Sequence, residues 1–245
     1  MVNGALSLGA LVGVLLSGGF VYWQVGRYAT PQVPVTLFDE RKEVFAFTAG
    51  LFIGVPIQFF LLFLFLAASG GFLISAVVDL AIVVLAPQSA QSLLLRTRYF
   101  GGDAKAFYGV GFRAGIAGIL VLSWVASYLS GPNLSVVGLA VVLLQSIAIV
   151  CLSVAASLVA LPQGAPLSSI RSGPVGGALF AVGGLALLVI GSGLGTVTAA
   201  VAALLTAVGA AYAYRARRDT VLASVRPPGA AAATPSTSPF ARVDR

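Results

Sequence analysis

The sequence predicts an all-α, polytopic integral membrane protein, and three observations lead to this prediction. Hydrophobic residues make up 59% of the 245 residues and charged residues only 9%, whereas soluble domains carry roughly 25% charged residues. The mean hydropathy is +1.03. The apolar residues also fall into seven runs, each close to the roughly 20 residues that a helix needs to cross a bilayer. The chain is therefore expected to form a seven-helix transmembrane bundle.

The predicted spans follow one another along residues 1–214 as one helical bundle. They cover residues 4–25, 44–68, 71–95, 113–130, 135–161, 174–191 and 195–214. The first is interpreted as a retained helix and not a signal peptide, because it opens without basic residues and its apolar stretch is long. Residues 215–245 are predicted to be a cytoplasmic tail, basic at first and then disordered because Pro, Ala, Thr and Ser dominate it.

The connections between the spans predict the orientation of the bundle. Basic residues occur in the connections after spans one, three and five and at the start of the tail. The connections after spans two, four and six contain no Lys or Arg. Because Lys and Arg favour the cytoplasmic side, we expect a multi-pass protein of the cell membrane with its N-terminus out and its C-terminus in. Arg113 is assigned to the cytoplasmic start of span four.

The net charge of +7 follows from these cytoplasmic loops, so the sequence predicts the lipid bilayer as a partner and no nucleic acid. The loop 96–112 mixes basic and aromatic residues, a composition that suits contact with the anionic inner leaflet. The alternative is an ordinary positive-inside loop. Self-association and other membrane subunits remain open as further partners.

Small residues at four-residue spacing predict where the helices pack closely, because helices in lipid associate through backbone approach and hydrogen bonds. Two longer stripes and two glycine pairs have this spacing. They are Ala5/Gly9/Gly13/Ser17 in span one, Gly195/Ala199/Ala203/Ala207/Ala211 in span seven, Gly50/Gly54 in span two and Gly111/Gly115 in span four.

Asp79 is the most informative polar residue of the predicted spans. It lies near the bilayer centre of span three, where a charge costs at least ~2.5–3.5 kcal/mol, so we expect it to face the bundle interior or to be protonated. Polar residues at similar depth, and one turn away on the same face, complete a candidate substrate or ion site. They are Gln58, Ser75, Gln145 and Thr206. The inner half of span three then becomes polar, with Gln88, Ser89, Gln91 and Ser92.

Two interpretations of Asp79 stay open at this point. A mid-membrane carboxylate near amide side chains and helix-breaking prolines is typical of proton- or cation-coupled transport. A protonated Asp79 that donates a hydrogen bond to Gln58 or Gln145 would instead hold helices together. The sequence thus favours a small-solute or ion-coupled membrane transporter, and the alternative is a non-catalytic structural or scaffold subunit of a larger membrane complex.

The composition argues against an enzyme and against the commonest cofactor sites. The chain contains no His, one Cys and one Met, and neither of its two lysines lies in a predicted span. Histidine-ligated haem, histidine-based zinc sites and a Ser–His dyad therefore lack their residues. A two-aspartate protease would need a second carboxylate of this kind in the spans. No catalytic residue, metal site or cofactor is predicted.

Overall fold

The computed structural model describes the backbone of residues 2–28, 39–67, 72–100, 105–132, 134–160 and 173–225. Side chains are described for residues 4–25, 39–59, 82–100, 105–132, 134–160 and 176–217. Within these ranges the chain is all-helical. The helices are α1 (Val2–Tyr28), α2 (Glu40–Ala67), α3 (Phe72–Arg96), α4 (Lys105–Leu129), α5 (Val136–Val159), α6 (Gly173–Gly193) and α7 (Thr196–Val225), with a 3-10 turn at Arg98–Phe100.

Six of the described helices are long and apolar enough to cross a membrane, so the chain is a membrane-embedded helical protein. The qualifying segments are Gly4–Val25, Glu40–Phe59, Lys105–Leu129, Val136–Val159, Gly176–Gly193 and Thr196–Arg217. Large apolar side chains cover the outside of these helices, including Phe52 (73% exposed), Leu15 (62%) and Val208 (60%). Exposure of this kind is expected where hydrocarbon is the solvent.

Helix starts are set by identifiable caps. Asp39 caps α2, since its side-chain oxygen accepts a hydrogen bond from the backbone N–H of Arg41 at 2.9 Å. Ser135 caps α5 in the same way, through Gly138 N–H at 3.0 Å. Between α6 and α7 the backbone turns at Gly195, whose φ of +119° is accessible to glycine at no steric cost.

Consecutive helices run in opposite directions. Between α4 and each of α1, α3 and α5, and between α5 and α6, the residue numbers of contacting pairs rise along one helix and fall along the other, so these helices are antiparallel. Between α2 and α4 the numbers rise together, so these two helices are parallel. The pairs are Gly9–Leu122 and Gly13–Gly118 for α1 on α4, Glu43–Gly111 and Gly54–Ile119 for α2 on α4, Leu95–Gly109 and Gln88–Arg113 for α3 on α4, Gln145–Trp124 and Ser157–Gly109 for α5 on α4, and Gln145–Ser192 and Ala156–Gly177 for α5 on α6.

All lysines and arginines with described side chains lie towards one end of the bundle, which we call the basic end. They are Arg41, Lys42, Arg96, Arg98, Lys105, Arg113, Arg215 and Arg217. The opposite, neutral end contains the α4–α5 connection and the tight α6–α7 turn. The segregation of basic residues is therefore a property of the fold as well as of the sequence.

Helix α4 is the centre of the bundle and touches α1, α2, α3 and α5. Glycines permit this crowding. A Cβ at Gly13 would overlap the backbone carbonyl of Gly118, and one at Gly9 would come within 2.5 Å of the carbonyl oxygen of Leu122. The predicted stripe on α1 is therefore the contact face with α4, and its Ser17 is completely buried there.

The glycine pairs of α2 and α4 face each other. A Cβ at Gly50 would overlap the carbonyl of Phe112, and one at Gly115 would overlap the carbonyl of Phe47. On α7 the predicted stripe holds only in part: Ala203 is fully buried, but Ala211 is exposed. An α-helix has 3.6 residues per turn, so residues spaced four apart drift round the helix axis. The predicted stripe has therefore left the buried face of α7 by Ala211.

Two predicted boundaries differ from the structure. Helix α4 begins at Lys105, not near residue 113, so its first two turns replace part of the predicted loop 96–112. Among the described residues of that loop, the aromatic side chains of Phe100, Phe107 and Tyr108 are buried in the core, and a short segment from Arg96 to Tyr99 is exposed and could face a leaflet. Helix α7 continues to Val225, past the predicted tail start at 215, and residues 226–245 lie outside the described chain.

Candidate functional site

Arg113 lies inside the bundle. It is eight residues beyond the start of α4, about 12 Å along the helix at 1.5 Å per residue, and its side chain is only 3% exposed. A buried guanidinium in a membrane helix is costly unless it is hydrogen-bonded or neutralised. Its surroundings therefore define the first site to consider.

Two glutamines of α3 hold the guanidinium. The Nε of Arg113 donates to Oε1 of Gln91 at 3.0 Å, and its Nη2 donates to Oε1 of Gln88. The amide of Gln91 in turn donates from Nε2 to Oγ of Ser157 on α5 at 2.8 Å. A continuous polar chain thus crosses from α4 through α3 to α5, and we call these four residues the arginine cluster.

The local sequence explains how the cluster forms. Gln88 and Gln91 are three residues apart, so they share a face of α3. Gly109 precedes Arg113 by one turn on α4, and a Cβ there would lie 2.5 Å from Nε2 of Gln91. The missing side chain therefore leaves the space that the Gln91 amide occupies.

A small cavity between α3, α4, α5 and α6 is lined in part by Arg113. Its volume is about 20 Å³, enough for one water-sized occupant. Its lining includes Val83 and Pro87 of α3 and Leu185 of α6, and among the described lining residues only Arg113 and Ser153 have polar side chains. Both can donate hydrogen bonds, and a guanidinium cannot accept one.

The hydroxyl of Ser153 makes no hydrogen bond to any residue that the structure describes, although it is part of α5. Other helical hydroxyls in this bundle bond to the carbonyl four residues earlier, as Ser146 does with Val142 at 2.7 Å and Ser192 with Leu188 at 2.7 Å. Ser153 is thus free to donate into the cavity that it lines.

No carboxylate forms an ion pair with Arg113 within the described residues. Glu43 is the nearest candidate along α4, because its side chain lies against Gly111. Residues 111 and 113, however, project from the helix about 200° apart, at 100° per residue. The guanidinium of Arg113, a residue that lines the cavity, is therefore held by amide oxygens and has no described counter-ion.

Comparison with protein-family models, curated proteins and solved structures returns no match for this chain. The functional interpretation therefore depends on the residues themselves.

A second buried polar group lies nearer the basic end. Glu43 and Gln24 are both 0% exposed, and none of their four side-chain N and O atoms has a hydrogen-bond partner among the described residues. Gly18 of α1 packs against Phe47 of α2, and because these helices are antiparallel, Gln24 and Glu43 come to nearly the same level. Unsatisfied buried groups of this kind are rare in native proteins.

Three of the five predicted site residues have described side chains, and no hydrogen bond between described residues joins any two of the three. Gln145 is buried and accepts a hydrogen bond from Trp124 Nε1 at 3.0 Å while donating to Ser192 Oγ at 2.8 Å. Thr206 is on α7 and bonds its own helix at Ala202. Gln58 is half-buried on α2, which packs mainly on α4 and also on α3 and α1, whereas α7 packs on α5 and α6.

Asp79 and Ser75 belong to α3, but their side chains lie outside the described residues. The backbone of Asp79 is nine residues before Gln88, about 13–14 Å along the helix axis towards the neutral end. The prediction that Asp79 forms a mid-membrane site stays a prediction.

Sequence reasoning found the glutamines of the arginine cluster as a polar stretch of α3 but placed Arg113 at the cytoplasmic start of span four, whereas α4 begins eight residues earlier and Arg113 is buried. The error came from applying the positive-inside rule to an arginine that is in fact interior. A usable signal was present: Gly109, Gly111, Gly115 and Gly118 flank Arg113 at helix-packing spacings. Glycines on both sides of an arginine indicate a helix that is packed all round, and such a helix buries the arginine with it.

Proposed function

We propose that this protein is a small-solute transporter of the cell membrane, with seven spans, its N-terminus out and its C-terminus in. The observation that supports transport best is the arginine cluster, a hydrogen-bonded charge without a described counter-ion beside a cavity in the bundle. Ionisable residues within membrane bundles are expensive and mark solute or ion pathways by default. A purely structural bundle would be more stable with an apolar residue at this position.

In this proposal Arg113 binds the solute, while Gln88 and Gln91 fix the orientation of its guanidinium. Asp79 is the proposed coupling residue, on the same helix as the two glutamines and nearer the neutral end. Movement of α3 relative to α4 would alter the surroundings of Arg113 and of Asp79 at the same time. Pro87 supports such movement, since it removes one backbone hydrogen bond from α3.

The test is transport by the purified protein in lipid vesicles, with currents or uptake measured for a panel of small anions, cations and neutral solutes. We expect one solute class to move faster than in empty vesicles, and Arg113→Gln to reduce its rate at least tenfold. Arg96→Gln is the matched control, because it removes the same charge from an exposed side chain and should keep the rate. Failure of every solute to exceed empty vesicles would refute the proposal.

The coupling role of Asp79 has its own test. Asp79→Asn keeps the size and hydrogen bonding of the side chain but cannot exchange a proton. We expect the variant to retain downhill transport and to lose acceleration by a pH or cation gradient. A variant that responds to gradients like the wild type would remove Asp79 from the mechanism.

A scaffold function is the second candidate, and the hydrogen bonds of Gln145 and Thr206 favour it. Both side chains are satisfied within the bundle, so part of the mid-membrane polar layer acts structurally. Under this proposal the chain should copurify from its native membrane in fixed stoichiometry with other subunits. Purification as a lone chain would argue against it.

A further inference from the structure

We propose that the cavity beside Arg113 is a binding site for one small monovalent inorganic anion of about the size of chloride. This inference rests on the proposed function and names the class of ligand for the same site. The chemistry of the lining, its charge and its volume all lead to this ligand.

Charge is the first reason. The guanidinium of Arg113 is fully protonated in proteins, and the groups that hold it, Gln88 and Gln91, are neutral. Within the described residues no carboxylate reaches it. An anion in the cavity would supply the missing neutralisation, which amide oxygens cannot do.

The hydrogen-bonding character of the lining is the second reason. Arg113 and Ser153 are the polar side chains of the cavity, and both are donors. The donor atoms of Arg113 that contact the two glutamines are Nε and Nη2, which leaves Nη1 without a hydrogen bond to any described residue. A site that offers free donors from a cation and a hydroxyl selects an acceptor with negative charge.

Volume is the third reason. About 20 Å³ accommodates a single water-sized particle, which excludes organic anions and phosphate in this conformation. A water molecule is the competing occupant. It would satisfy Nη1, Ser153 and the backbone carbonyl of Val83, which lacks its helical donor because Pro87 has no N–H, but it would leave the charge of Arg113 without compensation.

The test is the thermal stability of the full chain in nanodiscs as chloride replaces gluconate at constant ionic strength. Gluconate is too large for the cavity. A ligand that binds only the folded state raises the melting temperature in a concentration-dependent way, so we expect a rise that grows with chloride. Radiolabelled chloride in equilibrium dialysis should give one bound ion per chain.

Four variants test whether chloride stabilises the protein by binding in this cavity. Ser153→Ala should weaken chloride binding about tenfold or more, since hydrogen bonds to charged groups are worth more than neutral ones. Arg113→Gln should abolish the response. Ser146→Ala and Arg96→Gln are matched controls that should bind chloride like the wild type, because the Ser146 hydroxyl bonds its own helix and Arg96 is exposed.

Ser153→Ala keeps the test decisive even if Arg113→Gln does not fold. Chloride-independent stability with no bound chloride in the wild type would overturn the proposal and leave water as the occupant. Undiminished chloride binding in Ser153→Ala would also overturn it. Chloride binding without any solute flux would support this site while refuting transport, whereas flux of a solute without chloride binding would refute only the anion site.

Discussion

Two buried ionisable side chains, Arg113 of α4 and Glu43 of α2, lie on different sides of α4 and differ in their hydrogen bonding. Arg113 has two glutamine acceptors on α3. Glu43 has no hydrogen-bond partner among the described residues for either carboxylate oxygen. A buried polar group without a partner loses its hydration and gains nothing in return. The burial of Glu43 without a described partner is therefore expected to lower the stability of the bundle.

Replacing Glu43 by Gln should stabilise the protein, because the amide has the same shape without the ionisable group. We expect a gain of about 1–3 kcal/mol at neutral pH, because a buried carboxylate must either take up a proton or lose the hydration of its charge, and a neutral amide does neither. The melting temperature should rise by several degrees. Thermal unfolding of the purified wild type and variant in detergent measures the change in melting temperature.

Glu40→Gln is the control for Glu43, since it changes the same charge at an exposed position in the first turn of α2. It should alter stability by no more than about 0.5 kcal/mol. A loss of stability in Glu43→Gln, together with an unchanged Glu40→Gln, would mean that the Glu43 carboxylate has a stabilising partner and would contradict the prediction.

At the scale of the helices, glycines determine which faces meet. The face of α4 that carries Gly118 receives α1, the face with Gly115 receives α2, and Gly109 makes room for the arginine cluster. Helix α4 can thus contact four neighbouring helices because these glycines have no side chain at the points of closest approach. In lipid this close approach replaces the hydrophobic effect as the driving force.

Gly13→Leu should separate α1 from α4. Its Cβ would overlap the carbonyl of Gly118, and backbone cannot move aside as a flexible side chain can. Overpacking costs about 1–3 kcal/mol, so we expect a melting temperature lower by roughly 5–10 °C. Gly19→Leu is the control on the same helix, because a Cβ there meets nothing within 4 Å. An equal loss at both positions would refute close packing at Gly13.

Two alanines of α7 distinguish the stripe that was predicted from the sequence from the face that is buried in the structure. Ala203 is 0% exposed and packs in the core with α5, while Ala211 belongs to the same predicted stripe but is exposed. Ala203→Leu should lower the melting temperature, and Ala211→Leu should leave it within error. Thermal unfolding of both variants decides, and destabilisation by Ala211→Leu alone would contradict the packing described here.

At the scale of the whole molecule, the basic and neutral ends define the orientation. Thr97 is exposed at the basic end and Gly193 at the neutral end. Cysteines placed there in a Cys151→Ser background should react differently with a membrane-impermeant thiol reagent on intact cells. Gly193→Cys should be labelled directly, and Thr97→Cys only after permeabilisation. The reverse pattern would invert the orientation, and labelling of both would refute the proposed topology.

The sequence by itself determined the class of the protein, the approximate position of the helices and the segregation of its basic residues. These follow from hydropathy and loop composition, which act over whole segments and survive errors of a few residues. The stripe on α1 and the glycine pairs of α2 and α4 were also readable, since helical periodicity places such residues on one face.

Only the tertiary structure decided where individual polar side chains lie. Gln145 and Thr206 were expected near Asp79 from depth alone, and depth does not fix the rotation of a helix or its neighbours. The structure shows that Gln145 bonds to Trp124 and Ser192 and that Thr206 bonds to its own helix, while their proximity to Asp79 stays a prediction. Arg113 was expected at the cytoplasmic start of span four because its charge outweighed its apolar context. It became an interior group because the glycines around it let four helices enclose α4, and that depends on contacts between segments far apart in the chain.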